Sequence, residues 1–152
     1  MSETLVLAPE PLAAIVAHGE QAYPNEACGF LLGHSAPGGR TVVAALPLEN
    51  AREAEAQPRR FLITPDDVQQ AEDEAAARGL EVVGVYHSHP DHPAEPSTFD
   101  REHSLPWWSY VITRIVAGRG AETRAWRLAD DRSRYWEDTI VAGLQATLDD
   151  RA

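Results

Sequence analysis

In the stretch VYHSHPDHPAEPSTFD, Val85 to Asp100, residues that bind metal ions or move protons crowd into a segment with little apolar content. His87 and His89 stand two apart. Alternate side chains of a β-strand share a face, so an H-x-H pair presents both imidazoles together and turns Ser88 away. Two imidazoles side by side can share one divalent cation. Asp100 offers a third, anionic ligand. Two histidines and one carboxylate leave one tetrahedral vertex open for water, the arrangement of a catalytic zinc rather than a structural one. Zinc so held brings the pKa of water to about 7 and polarises a carbonyl, which is the chemistry of amide hydrolysis.

The same residues have a plainer reading. Paired histidines at a strand end are often surface residues. Ser97 and Asp100 spell S-x-x-D before a helical stretch, the pattern of a capping box. The two readings overlap, because a short helix capped in this way could aim Asp100 back at the histidines. A hydrolytic site also needs a base, and a carboxylate in hydrogen-bond reach contributes about 10²–10⁴-fold. Spacing does not select it among 24 acidic residues. Glu26 is a candidate because it stands where a loop enters the apolar run of YPNEACGFLLG. A solvated loop carboxylate is the alternative.

Helical spacing runs from about Pro9 to Tyr23, and ACGFLLG reads as a buried strand. SAPGG reads as a turn, RTVVAALPL as a strand, ENAREAEAQPRR as a polar loop and FLI as a short strand. TPDDVQQAEDEAAARG is the clearest helix, with Thr64 as N-cap, Pro65 in the first turn and Gly79 where a C-cap glycine belongs. LEVVGVYHSH reads as a strand buried on both faces as far as Tyr86. PDHPAEP cannot be regular, and STFDREHSL reads as a short helix. WSYVITRIVAG and ETRAWRL read as two strands joined by a hairpin at GRG. In the tail, Trp136, Ile140, Leu144 and Leu148 are spaced like a helix, while RYWEDTIV also reads as a strand. The expected fold is an α/β sandwich with a mixed β-sheet flanked by helices, built as one domain.

Composition narrows the function. The formal net charge is −11, and all 13 basic residues are arginine. A chain this acidic is a poor general binder of nucleic acid or anionic membrane. No apolar run reaches the length of a membrane span, and the expectation is a soluble, cytoplasmic protein. Cys28 is the single cysteine, which excludes an internal disulfide and a cysteine-rich zinc site. It reads as a small buried hydrophobe rather than a nucleophile.

The pattern E…H-S-H-P-x6-S-x2-D, here Glu26 followed by HSHPDHPAEPSTFD, resembles the JAMM (MPN+) zinc metalloproteases. PNEACGFLLG is similar to the glutamate-bearing segment of the small bacterial members, and SYVITRIVAG with AWRL to their later strands. The resemblance covers a motif-bearing core of about residues 5–128, in a single JAMM/MPN+ domain of residues 1–152 with a C-terminal tail, 129–152. It implies an MPN sandwich like that of cytidine deaminases. It implies a Zn²⁺ ion on His87, His89 and Asp100, Glu26 as the base that passes a proton to the leaving amine, and Ser97 as hydrogen-bond donor to the oxyanion. It also implies cleavage of a peptide or isopeptide bond at the C-terminal tail of ubiquitin or a ubiquitin-like protein. The short chain looks more like the small bacterial and archaeal members, and resemblance to those implies a sulfur-carrier protein with a ubiquitin-like fold. A tail of this kind could bind as an added strand beside the sheet edge.

Two other functions stay open: a non-catalytic MPN-type interaction module, and a zinc hydrolase of another peptide or amide. Homodimerisation also stays open. His92, in the proline-rich loop, reads as exposed or near the ligands without being one. His18, His34 and His103 read as surface residues. Trp107 and Trp108 read as core, or as lining of a substrate groove. Arg52, Arg59 and Arg60 read as a solvated loop, or as a contact for an acidic carrier protein.

Overall fold

Thr64 and Asp67 start the central helix by capping each other: Thr64 Oγ1 accepts from the Asp67 amide at 3.2 Å, and Asp67 Oδ2 from the Thr64 amide at 2.9 Å. That helix, in the computed structural model, is Pro65–Ala77. It ends at Arg78, with Gly79 following in the left-handed conformation (φ 71°) that a residue without a Cβ adopts freely. The structure describes residues 1–50, 52, 56–57 and 60–142. In chain order the elements are β1 (Thr4–Leu7), α1 (Pro9–Ala22), β2 (Cys28–Ala36), β3 (Gly39–Leu48), α2 (Pro65–Ala77), β4 (Glu81–Pro90), α3 (Thr98–His103), β5 (Ser109–Val116), β6 (Arg119–Leu128) and β7 (Tyr135–Val141).

The strands order as β1-β3-β2-β4-β5-β6-β7, and β1 also pairs with β7, so the sheet closes on itself. Strands β4 and β5 run parallel, which forces a long crossover between them, and α3 lies in it. Residue alternation sorts the core into two clusters. Every strand sends a residue to the inner one, where Leu5, Leu31, Val42, Tyr86, Val111 and Ala125 pack on Ile15 of α1. On the outer face Phe30, Leu32, Val85 and Tyr110 pack on Ala71 and Ala75 of α2. The fold is therefore α/β, a mixed sheet flanked by helices.

Two expectations need correction, and one strand went unread. FLI is not a strand: Phe61–Ile63 has no ladder partner, and the Leu62 amide bonds to Asn50 Oδ1 instead, at 3.2 Å. LVL near the N-terminus is a strand, β1, too short to show a period. The hairpin turn sits one residue before GRG, on Ala117 and Gly118, both with positive φ. Closure leaves no terminal strand free, yet Ala44–Leu48 of β3 pairs with β2 alone, because β1 reaches only Gly39–Val42. In the C-terminal region Trp136 and Ile140 lie in β7. Leu144, Leu148 and Arg59 lie outside the described residues. Among the described residues no helix is long and apolar enough to cross a membrane.

Candidate metal centre

Val85 faces the outer cluster, so the two-residue period carries His87 and His89 to that same face at the end of β4. Ser88 points inward, where its Oγ accepts from the Ala27 amide at 2.8 Å. Both histidines are buried. Their Nε2 atoms stand 3.3 Å apart, and Asp100 Oδ2 lies 3.4 Å from His87 Nε2 and 3.2 Å from His89 Nε2. Tetrahedral ligands about 2.0–2.1 Å from a zinc ion stand about 3.3–3.4 Å from one another. The three atoms have that spacing. The donor set of two imidazoles and one carboxylate fits the same ion.

The neighbouring contacts orient these ligands. His89 Nδ1 lies 2.7 Å from the Pro93 carbonyl oxygen, to which it donates, leaving the Nε2 lone pair facing the common centre. His87 packs against the Phe61 ring, centroids 4.6 Å apart, and its buried Nδ1 has no hydrogen-bond partner. Burial pushes the His87 imidazole pKa down, toward the neutral form a metal needs. For Asp100, burial acts upward. The facing imidazoles and the Ser97 amide outweigh it and hold the carboxyl well below the usual range.

Both readings of Ser97 and Asp100 hold at once. Ser97 is the N-cap of α3, with Asp100 as the reciprocal partner. The Asp100 oxygen that accepts from the Ser97 amide is the one that faces the histidines.

Glu26 is 2% exposed, and its Oε1 has no hydrogen-bond partner. A Glu26 carboxylate oxygen and ring nitrogens of His89 and His92 lie within 4.8 Å of one another. Burial pushes the Glu26 carboxyl up to about 9, with Asp100 adding to the rise and Arg60 opposing it. It is thus no solvated loop carboxylate. Two polar residues that sequence reasoning passed over hold it there. Asn50 Nδ2 donates to the carbonyls of Glu26 (3.1 Å) and Arg60 (2.9 Å), and the Glu26 amide donates to the Gln57 carbonyl at 2.7 Å. Loop polarity hid them, since nothing in ENAREAEAQP marks which amide turns inward.

His92 is half-buried, its ring 4.7 Å from that of His89. His18 is not a simple surface residue: its Nδ1 meets the Tyr86 hydroxyl at 2.7 Å. His34 and His103 are exposed, and Cys28 is buried, its thiol pushed up to about 12 by burial. A cavity of about 570 Å³ opens directly from the site. His87 and Asp100 line it, as do Trp107 and Trp108. Trp107 is 62% exposed, while Trp108 also packs edge-on against Phe30.

Residues 9–129 match the family described as prokaryotic homologs of the JAB domain. Two proteins named desampylase are similar. The one from Haloferax volcanii is 35% identical over 73% of this chain and 81% of its own length. The one from Pyrococcus furiosus is 35% identical over 76% and 75%. The tail tip assembly protein K of Escherichia phage N15 is 33% identical, over 70% of this chain but 42% of its own length. A Salinibacter ruber protein solved in solution superposes with a TM-score of 0.71 at 44% identity, and a Desulfitobacterium hafniense protein with 0.78 at 29%. Those two alignments cover 91% and 90% of this chain and 91% of each of the other two. The chain belongs to the prokaryotic JAB family of JAMM-type domains.

Proposed function

We propose that this chain is a zinc-dependent peptidase or isopeptidase that hydrolyses the bond at the C-terminal tail of a ubiquitin-like protein of the sulfur-carrier type. One observation carries the reading: three ligand atoms at zinc spacing, beside a buried carboxylate with an unpartnered oxygen. The relatives named desampylase, matched over most of their length, support a hydrolase acting on such a modifier.

In this reading His87, His89 and Asp100 hold the zinc. When bound, zinc supplies an acidified water and a polarised scissile carbonyl. Glu26 takes a proton from the attacking water and passes it to the leaving amine. Its burial strengthens it as a base, and the cation's charge counters the upward pressure that burial puts on its pKa. Ser97 Oγ already accepts from the Asp100 amide at 3.0 Å, which fixes the oxygen and leaves its own proton for the oxyanion. Residues 1–152 act as one cytoplasmic domain, and the scheme needs no second copy.

The test is incubation of the zinc-loaded protein with ubiquitin-like carriers from the same organism, read by intact mass. Loss of a C-terminal segment from one carrier is the expected result. A fully zinc-loaded protein that cleaves none of them overturns the reading.

A further inference from the structure

Phe99, the residue before Asp100, carries two guanidinium groups. Arg60 Cζ lies 4.4 Å from its ring centroid and Arg52 Cζ 5.3 Å. The His103 ring stacks on it as well, at 4.1 Å. A guanidinium lying on a ring leaves the N–H donors in its own plane available, in a fork that matches a carboxylate. Arg78, Arg114, Arg124 and Arg127 each face a carboxylate of this chain. Arg60 makes no such ion pair among the described residues, though its charge acts on the Glu26 carboxyl.

Its position is built rather than incidental. The Arg60 amide donates to the Ala56 carbonyl at 2.9 Å, and the Arg60 carbonyl accepts from the same Asn50 nitrogen that holds the Glu26 backbone. The cation is therefore tied to the Glu26 segment. Arg52 and Phe99 also line the cavity that His87 and Asp100 line. Phe99 is also the chain neighbour of Asp100, so a substrate cut at the metal centre passes close to the platform.

We propose that Arg60, stacked on Phe99, is a specificity-determining residue that binds a carboxylate carried by the substrate close to the scissile bond. The assignment rests on the hydrolase reading given above. The carboxylate is either the free terminus of a short released segment or an acidic side chain of the tail.

Labelled tail peptides test it in matched pairs: free terminal carboxylate against amide, and Glu against Gln within two residues of the cut. Binding to the metal-free protein is read by fluorescence anisotropy, and cleavage by the zinc-loaded protein is read separately. The wild type binds and cleaves the anionic member of one pair about fivefold better, and the pair that responds names the source. Arg60→Ala abolishes that preference, raising KM about fivefold for the anionic peptide with little change in kcat. Arg60→Lys restores part of it. Arg60 is exposed and its fixed hydrogen bonds are backbone ones, so the fold does not depend on its side chain. Equal discrimination by wild type and Arg60→Ala in both assays overturns the proposal. Discriminating binding without any cleavage sinks the hydrolase reading and leaves Arg60 its role; cleavage without discrimination does the reverse.

Discussion

Ser97 and Asp100 grip each other in both directions: the Ser97 amide donates to Asp100 Oδ2 at 2.9 Å, and the Asp100 amide donates to Ser97 Oγ at 3.0 Å. The cap of a six-residue helix thereby fixes the oxygen that faces both histidines. Helix termination and ligand orientation are one device.

Ser97→Ala is expected to cost about 1 kcal/mol through the lost cap. It should weaken zinc binding by no more than about tenfold, because the Asp100 amide loses its partner while the Ser97 amide still holds Asp100 Oδ2. Asp100→Asn keeps a side-chain acceptor for the cap but loses the charge, and should weaken zinc binding further. Competition with a chelating dye measures both. Unchanged affinity in Asp100→Asn would confine Asp100 to capping.

Glu26→Gln keeps shape and burial but removes the base. Zinc content should stay at that of the wild type while kcat falls about 10²–10⁴-fold. Metal analysis beside a cleavage assay separates the two. Full activity in this variant removes Glu26 from the mechanism.

Asn50 binds the segments of Glu26 and Arg60 together, and accepts from the Arg52 and Leu62 amides with its other atom. Asn50→Ala orphans these backbone groups. The expected loss is about 1–3 kcal/mol in unfolding free energy, with kcat reduced at least about tenfold by misplacement of the base. Zinc affinity should hold, since none of the three ligands touches Asn50. A uniform loss of zinc would show instead that the whole site had collapsed.

Glu26 makes the metal-free protein pH-sensitive in a stated direction. Its folded pKa, pushed up to about 9 by burial, lies above its unfolded value of about 4.3, so the folded state binds the extra proton between them. That stabilisation is complete below the unfolded pKa and is lost as pH rises through the folded one. Chelated wild type should therefore lose stability relative to chelated Glu26→Gln from about pH 5 to pH 9. Urea unfolding of both proteins across that range gives the difference. A constant difference would mean the carboxyl ionises freely in the fold.

Much of the site was legible because it is local. A two-residue period on a buried strand is enough to pair His87 with His89, and S-x-x-D is enough to suggest the cap that aims Asp100. The proposed base was harder, since Glu26 stands just before β2, which lies antiparallel to β4 with Cys28 opposite His87. Its environment depends on Asn50 and Gln57, remote in sequence and ordinary in type. Four-residue β1 escaped, and β7 stayed undecided between strand and helix, for a related reason. Short strands carry little periodicity, and here long-range pairing decides them. FLI misled in the opposite sense, having strand-like residues but no ladder to join.

The family match, residues 9–129, contains every residue assigned to the chemistry but neither β1 nor β7. Those two strands fasten the hoop: β1 lies between Gly39–Val42 of β3 and Thr139–Val141 of β7, and β7 continues along β6. A fragment trimmed to the matched span would retain a full set of reactive groups yet bare two raw rims, Gly39–Val42 and Ala125–Leu128, to any other chain with hydrogen bonds to offer. The cover over those rims is thus entrusted to strands that hold none of the residues assigned to the chemistry.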